Sequence, residues 1–272
     1  MKDKVVIITG GTSGIGKALV EEFAKLKAKI VFTGRNEAAL AEISQQLSLQ
    51  GIENLAIKAD VSLEEDNQKM IEQTIAQFGR LDILINNAGL TMRALIEEVE
   101  VEVIKKLMEV NFFGAVYATK FALPHILATK GSIVAISSIN GHVGTPARSG
   151  YVASKFALNG FFEVLRLEIS QRGAHVLVVS PGFTESNIRK NALTESGQVQ
   201  GDSPRNEEKM MTSEEVAQKT IQAIIKRKRE IVLTTQGKLA VFLHKWFPAF
   251  INKQAYKLML NEPNSPLAKF HK

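Results

Sequence analysis

With 272 residues, 45% of them apolar and 23% charged, the chain can bury a full core and has the balance of a soluble globular protein. Its net charge of +6 gathers late, as Lys226-Arg227-Lys228-Arg229 and in the tail; this reads as a solvated helix end, with no case for nucleic acid, and five scattered histidines give no metal site. The absence of cysteine excludes disulfides and thiol catalysis; with no apolar run of bilayer length and no signal-peptide pattern, the expected location is the cytoplasm.

Val5 to Thr9 is a β-branched apolar run, as expected of a strand buried on both faces. Gly10-Gly11-Thr12-Ser13-Gly14-Ile15-Gly16 follows, then Leu19, Phe23 and Leu26 recur at helical spacing. Strand, glycine turn and helix together let a backbone approach a phosphate, and the helix N-terminus offers unpaired N–H groups. The second strand is expected over Lys29 to Thr33 and its helix over Glu37 to Leu49. Gly34, Arg35 and Asn36 lie where a dinucleotide ribose is read. With no carboxylate there and a guanidinium able to pair with a 2′-phosphate, NADPH is favoured over NADH.

A third strand, Asn54 to Ala59, ends at Asp60-Val61, and Ser62 with Glu65 is the pattern of a capping box. Leu81 to Ile85 leads into Asn86-Asn87-Ala88-Gly89, at the end of a central strand where such sheets bind ligands. Glu102 to about Leu127 reads as one long helical region containing Asn111. Ser132 to Ser137, His175 to Ser180 and Ile231 to Thr235 complete seven strands, with a helix over Ser213 to Lys226. The alternation predicts an α/β fold, a doubly wound parallel seven-stranded sheet with helices on both faces.

Ser138 follows the fifth strand, and a loop separates it from Tyr151 and Lys155, which open a helix reaching about Gln171. Residues four apart share a helix face, so phenol and ammonium can meet in one pocket. The ammonium should lower the phenol pKa from about 10. With Ser138 holding a substrate oxygen, the set suits acid–base chemistry on a carbonyl or an alcohol.

In order, these motifs resemble those of the short-chain dehydrogenase/reductase family: Thr9-Gly10 to Gly16, Asp60-Val61, Asn86 to Gly89, Asn111, Ser138, Tyr151 with Lys155, and Pro181-Gly182. The resemblance covers about Lys4 to Thr235 and implies a Rossmann fold and an NADPH-preferring ketone reductase. In that reading Tyr151 is the general acid and Ser138 binds the substrate oxygen. Lys155 binds the nicotinamide ribose and lowers the Tyr151 pKa, and Asn111 holds a water linked to Lys155. Gly10, Thr12, Ser13, Gly14, Ile15 and Gly16 enclose the pyrophosphate. Asp60 and Val61 border the adenine, and Asn87, Ala88 and Gly89 line the adenosine and ribose side. Pro181, Gly182, Thr184 and Ser186 lie on the nicotinamide side. Two departures from the family stand out. Ser13 occupies a position that is often basic in NADPH-preferring members, and Lys27 stands where the first helix commonly ends in glycine, so that helix is expected to end differently.

Substrate contacts are expected from Ser138, Asn140, His142 and Phe183, with specificity set by the stretch Asn140 to Ser149 and by residues 183–211 as a lid. Residues 1–236 form the catalytic domain in this reading, and 237–272 an amphipathic extension. Leu239, Phe242, Leu243, Trp246 and Phe247, and after Pro248 a second stripe of Ile251, Ala255, Leu258 and Met259, make that extension helical. It packs on the core or a sister subunit, or else touches lipid or roofs a large apolar pocket, which points to lipid-like ketones. A homodimer or homotetramer is implied by resemblance. The alternatives are an NAD-dependent alcohol dehydrogenase and a non-enzymatic NADPH-binding scaffold.

Overall fold

The structure is a computed structural model, and it describes residues 1–185, 188–201 and 210–271. Seven parallel strands lie in the order β3-β2-β1-β4-β5-β6-β7. They are β1 (Val5–Ile8), β2 (Lys29–Gly34), β3 (Asn54–Lys58), β4 (Ile83–Asn86), β5 (Ser132–Ile136), β6 (His175–Ser180) and β7 (Glu230–Val232). Central strands carry apolar side chains on both faces because both faces are covered: β1, β4, β5 and β6 are buried throughout. One core layer joins the sheet to α1 (Gly14–Lys25), α2 (Glu37–Leu49) and, further along, α7 (Ser213–Ile225). The other joins it to α3 (Glu64–Phe78), α5 (Gly114–Thr129) and α6 (Ser149–Ile169), with α4 (Val101–Met108) packed on α6. Strand order reverses between β1 and β4, and in open sheets of this kind the ligand crevice lies beyond the carboxyl ends at that point.

Three local expectations are corrected. Lys27 does take the left-handed conformation, with φ 58°; its N–H bonds the Ala24 carbonyl at 2.9 Å and that of Ala28 bonds Phe23 at 3.2 Å, so the helix closes as it would with glycine. Ser62 caps nothing: its hydroxyl donates to Asp60 Oδ1 at 2.7 Å, and Leu63 precedes α3 without a side-chain cap. The long helical region is interrupted by a π-helical turn over Glu109–Phe113 that holds Asn111, an insertion of the kind found at functional sites.

Beyond β7 the chain forms a helical hairpin, α8 (Thr235–His244) and α9 (Pro248–Leu260), with Pro248 at the start of α9, where its missing N–H costs nothing. Among the described residues no helix is long and apolar enough to cross a membrane. Ser186 and residues 202–209, the centre of the expected lid, lie outside the described residues. Its flank is tied down, since Leu193 N–H bonds the Thr91 carbonyl at 2.9 Å and Arg93 N–H returns to the Leu193 carbonyl at 2.9 Å.

Candidate active site

A cavity of about 840 Å³ opens over the carboxyl ends of the strands. Its floor is the glycine turn. Gly10 and Gly14 have φ of 66° and 50°, and a Cβ on Gly16 would stand 2.1 Å from the Gly10 carbonyl oxygen, so the close approach of turn to helix requires glycine. Ser13, at the N-terminal cap of α1, makes no side-chain capping bond, so the amides of the first turn remain available to an anion. The turn is stitched to β4 by a residue the sequence reading passed over as a ligand-shaping group. Thr9 Oγ1 accepts from the N–H of Asn87 at 3.0 Å and of Ala88 at 3.1 Å, and it donates to the Ile85 carbonyl at 3.3 Å. Asn87 Nδ2 in turn donates to the Thr9 carbonyl at 2.9 Å. Gly10, Thr12 to Gly16, Arg35, Asp60, Val61 and Asn87 to Gly89 all line this part of the cavity. This glycine-lined groove fits a dinucleotide pyrophosphate and ribose.

At its outer edge Arg35 Nη1 lies 3.9 Å from Asp60 Oδ2, and the guanidinium is exposed. Burial would raise the Asp60 pKa, but hydrogen bonds from Ser62 and the Arg35 charge hold it below the usual carboxylate range. Asn36 is not in the cavity wall; its Oδ1 accepts the Ala39 N–H at 3.1 Å and caps α2, as asparagine at that position commonly does.

Ser138, Tyr151 and Lys155 converge from two elements, the turn after β5 and α6. Ser138 follows β5 and opens a short 3₁₀ turn, its Oγ accepting the Asn140 N–H at 3.1 Å. Tyr151 and Lys155 project from the first turns of α6, and Ser138 and Tyr151 face the same cavity. Lys155 is buried and donates from Nζ to the Ile136 carbonyl at 2.9 Å, with its ammonium 5.8 Å from the centre of the Tyr151 ring. Burial lowers the Lys155 pKa to about 8. The expectation for Tyr151 is corrected: burial raises its pKa above the usual 10, against the opposing effects of the Ser138 hydroxyl and the Arg148 charge.

Asn111 does not reach toward solvent. Its Nδ2 donates to the Leu90 carbonyl and to Ser154 Oγ, both at 2.9 Å, while Oδ1 accepts the Leu90 N–H at 2.7 Å. The π turn brings this amide to the loop after β4, and the second Oδ1 lone pair is the side chain's remaining acceptor.

Asn140, Phe183, Pro181, Gly182 and Thr184 line the cavity as expected, but His142 does not. Its Nε2 lies 2.9 Å from Ser180 Oγ and 3.2 Å from Glu230 Oε1, so the ring turns to β6 and β7 instead of the substrate. Two arginines within the expected specificity segments, not singled out from the sequence, join the wall. Arg148, just before α6, lines the cavity and holds the Met92 carbonyl at 2.8 Å; Arg189 lines it and holds the Thr184 carbonyl at 2.8 Å. The inner face of α9, whose apolar stripe carried the signal in the sequence, lines it too.

A family model described as short chain dehydrogenase matches residues 4–197. Dehydrogenase/reductase SDR family member 7B of Mus musculus is 38% identical over 254 residues, 91% of this chain and 79% of the relative. An 11-beta-hydroxysteroid dehydrogenase A of Sesamum indicum is 41% identical over 197 residues, 72% of this chain and 56% of the relative. In fold, the chain is similar to a short chain dehydrogenase/reductase from Burkholderia phymatum in complex with NAD, with TM-score 0.81 and 24% identity over 92% of this chain and 95% of the other. A seven-stranded doubly wound sheet, a glycine turn at its switch point and a family match over most of the sequence together establish that the chain belongs to the short-chain dehydrogenase/reductase family of oxidoreductases.

Proposed function

We propose that the protein reduces a ketone to an alcohol with NADPH, using Tyr151 as proton donor. The observation that carries this reading is that Ser138, Tyr151 and Lys155 line the same cavity as the glycine turn. When bound, a reduced nicotinamide supplies the hydride. Ser138 Oγ orients the carbonyl oxygen and stabilises the charge developing on it. Tyr151 transfers its phenolic proton to that oxygen. Burial keeps the phenol protonated at neutral pH but makes it a weaker acid, so the transfer depends on the charge of Lys155 to stabilise the phenolate. Lys155, held by the Ile136 carbonyl, places a cation beside the phenolate left behind. Asn111 fixes the Leu90 backbone and, through Ser154, the first turn of α6.

Arg35 supports NADPH, since it stands where a 2′-phosphate would lie and no carboxylate occupies positions 34–36. A lipid-like substrate is supported by the cavity's size and by the apolar residues of α9 in its wall; the Sesamum indicum relative is named for a hydroxysteroid. The outer side of the hairpin exposes Phe242, Trp246, Phe247 and Phe250 among Lys238, Lys245 and Lys253, a composition suited to peripheral contact with an anionic bilayer. Phe113, Phe156, Val164 and Leu167 are exposed on the π turn and on α6, and they support pairing into a dimer or tetramer.

The deciding experiment is NADPH oxidation with a panel of aliphatic, steroidal, acyl-thioester and sphingoid ketones. Turnover of one ketone class with NADPH faster than with NADH is the expected result. No turnover of any, with NADPH bound, would point to a scaffold instead.

A further inference from the structure

The hairpin after β7 is joined to the catalytic elements at both ends. At its start, α8 sits against the residue that follows Ser138: a Cβ on Gly237 would stand 2.2 Å from Ile139 Cδ1. At its end, Met259 and Leu267 form a buried cluster with Leu95 and Ala147, four residues before Tyr151. The same end is clamped by charge. Arg93 Nη2 lies 3.5 Å from Glu262 Oε2, both side chains being almost fully buried, and it donates to the Pro263 carbonyl at 2.7 Å. Lys269 adds ion pairs to Glu97 and Glu98 in the loop after β4. Between these anchors, Ile251, Ala255 and Met259 recur every fourth residue of α9 and line the cavity. Phe250, next to Ile251 but on the opposite face, is 55% exposed and outside it.

We infer that the inner stripe of α9, Ile251-Ala255-Met259, is the wall that sets the size of substrate the site accepts, and that Arg93 positions this wall through Glu262. The inference deepens the reductase reading, and the substrate class it implies is a bulky apolar ketone. A buried ion pair is suited to this task because its geometry is fixed in a way that apolar packing alone is not; a displaced Glu262 would leave a buried charge uncompensated.

The chain has no cysteine of its own, so single thiols introduced at Ala255→Cys and Phe250→Cys can be labelled cleanly with the polarity-sensitive dye acrylodan. The label at 255 should emit to the blue of the label at 250, and adding Arg93→Gln should move the 255 emission toward the red while the NADPH titration stays unchanged. Equal emission at the two positions, or no response to Arg93→Gln, would overturn the inference whether or not any ketone is turned over.

The second arm uses activity. The label at 255 should raise KM for a steroid ketone about 10-fold or more and change KM for cyclohexanone by less than about 2-fold, with no such split from the label at 250. Parallel effects on both ketones would refute the wall. Failure of the unmodified protein to reduce either ketone would count against the reductase reading alone, and the emission arm would still decide the wall.

Discussion

Lys155 Nζ donates to the carbonyl oxygen of Ile136 at 2.9 Å, which ties the ammonium on α6 to the last residue of β5, two residues before Ser138. One strand end therefore fixes both the cation and the hydroxyl that flank Tyr151. Tyr151→Phe keeps the ring and the packing and removes only the hydroxyl that carries the proton. Ketone reduction should fall by about 10²–10⁴-fold while NADPH still binds, as read by NADPH oxidation and by nucleotide fluorescence titration.

The buried ammonium also makes a pH prediction. The folded pKa of Lys155, about 8, is below its unfolded value, so below pH 8 the cofactor-free protein carries the full penalty of a buried cation. Between pH 8 and 10 the unfolded chain keeps more protons than the folded one, so stability rises with pH. Tyr151 acts oppositely, because its raised folded pKa makes stability fall once the unfolded phenol ionises above about 10. Urea midpoints across pH 7 to 10 should therefore climb in the wild type, and the climb should flatten in Lys155→Met.

Arg35 bears on coenzyme choice. Arg35→Asp replaces the guanidinium with a carboxylate that repels a 2′-phosphate and can accept from a 2′-hydroxyl. The ratio of kcat/KM for NADPH over NADH should drop by about 10-fold or more. An unchanged ratio would remove Arg35 from coenzyme recognition.

Asn111 is predicted to matter for stability as well as rate. Asn111→Leu is close in volume but strands the Leu90 N–H and carbonyl groups at a half-buried turn. Unfolding free energy should fall by about 1–3 kcal/mol in urea titration, as unpaired, partly buried backbone groups require. A loss below about 0.5 kcal/mol would show that the π turn stands without its amide.

The parts of the fold visible in sequence were those set by neighbours along the chain. β-branched runs buried on both faces, the glycine turn opening α1, and Tyr151 with Lys155 one helical turn apart each follow from local periodicity, so the seven strands lie close to where they were expected. Local details slipped where side chains found other partners: Ser62 gave its hydroxyl to Asp60 two residues before it, and Asn111 sits in a π turn with its amide on Leu90 in the loop after β4.

Sequence alone therefore determined the α/β alternation and the placement of Tyr151 one helical turn before Lys155, since both are patterns of short range. The folded chain decided the rest. It turned His142 toward Ser180 and Glu230, raised the Tyr151 pKa by burial where a neighbouring lysine had seemed decisive, and brought Arg93 onto Glu262 from far away in sequence. Such contacts depend on which surfaces are excluded from water together, and no pattern along a single helix or strand records that.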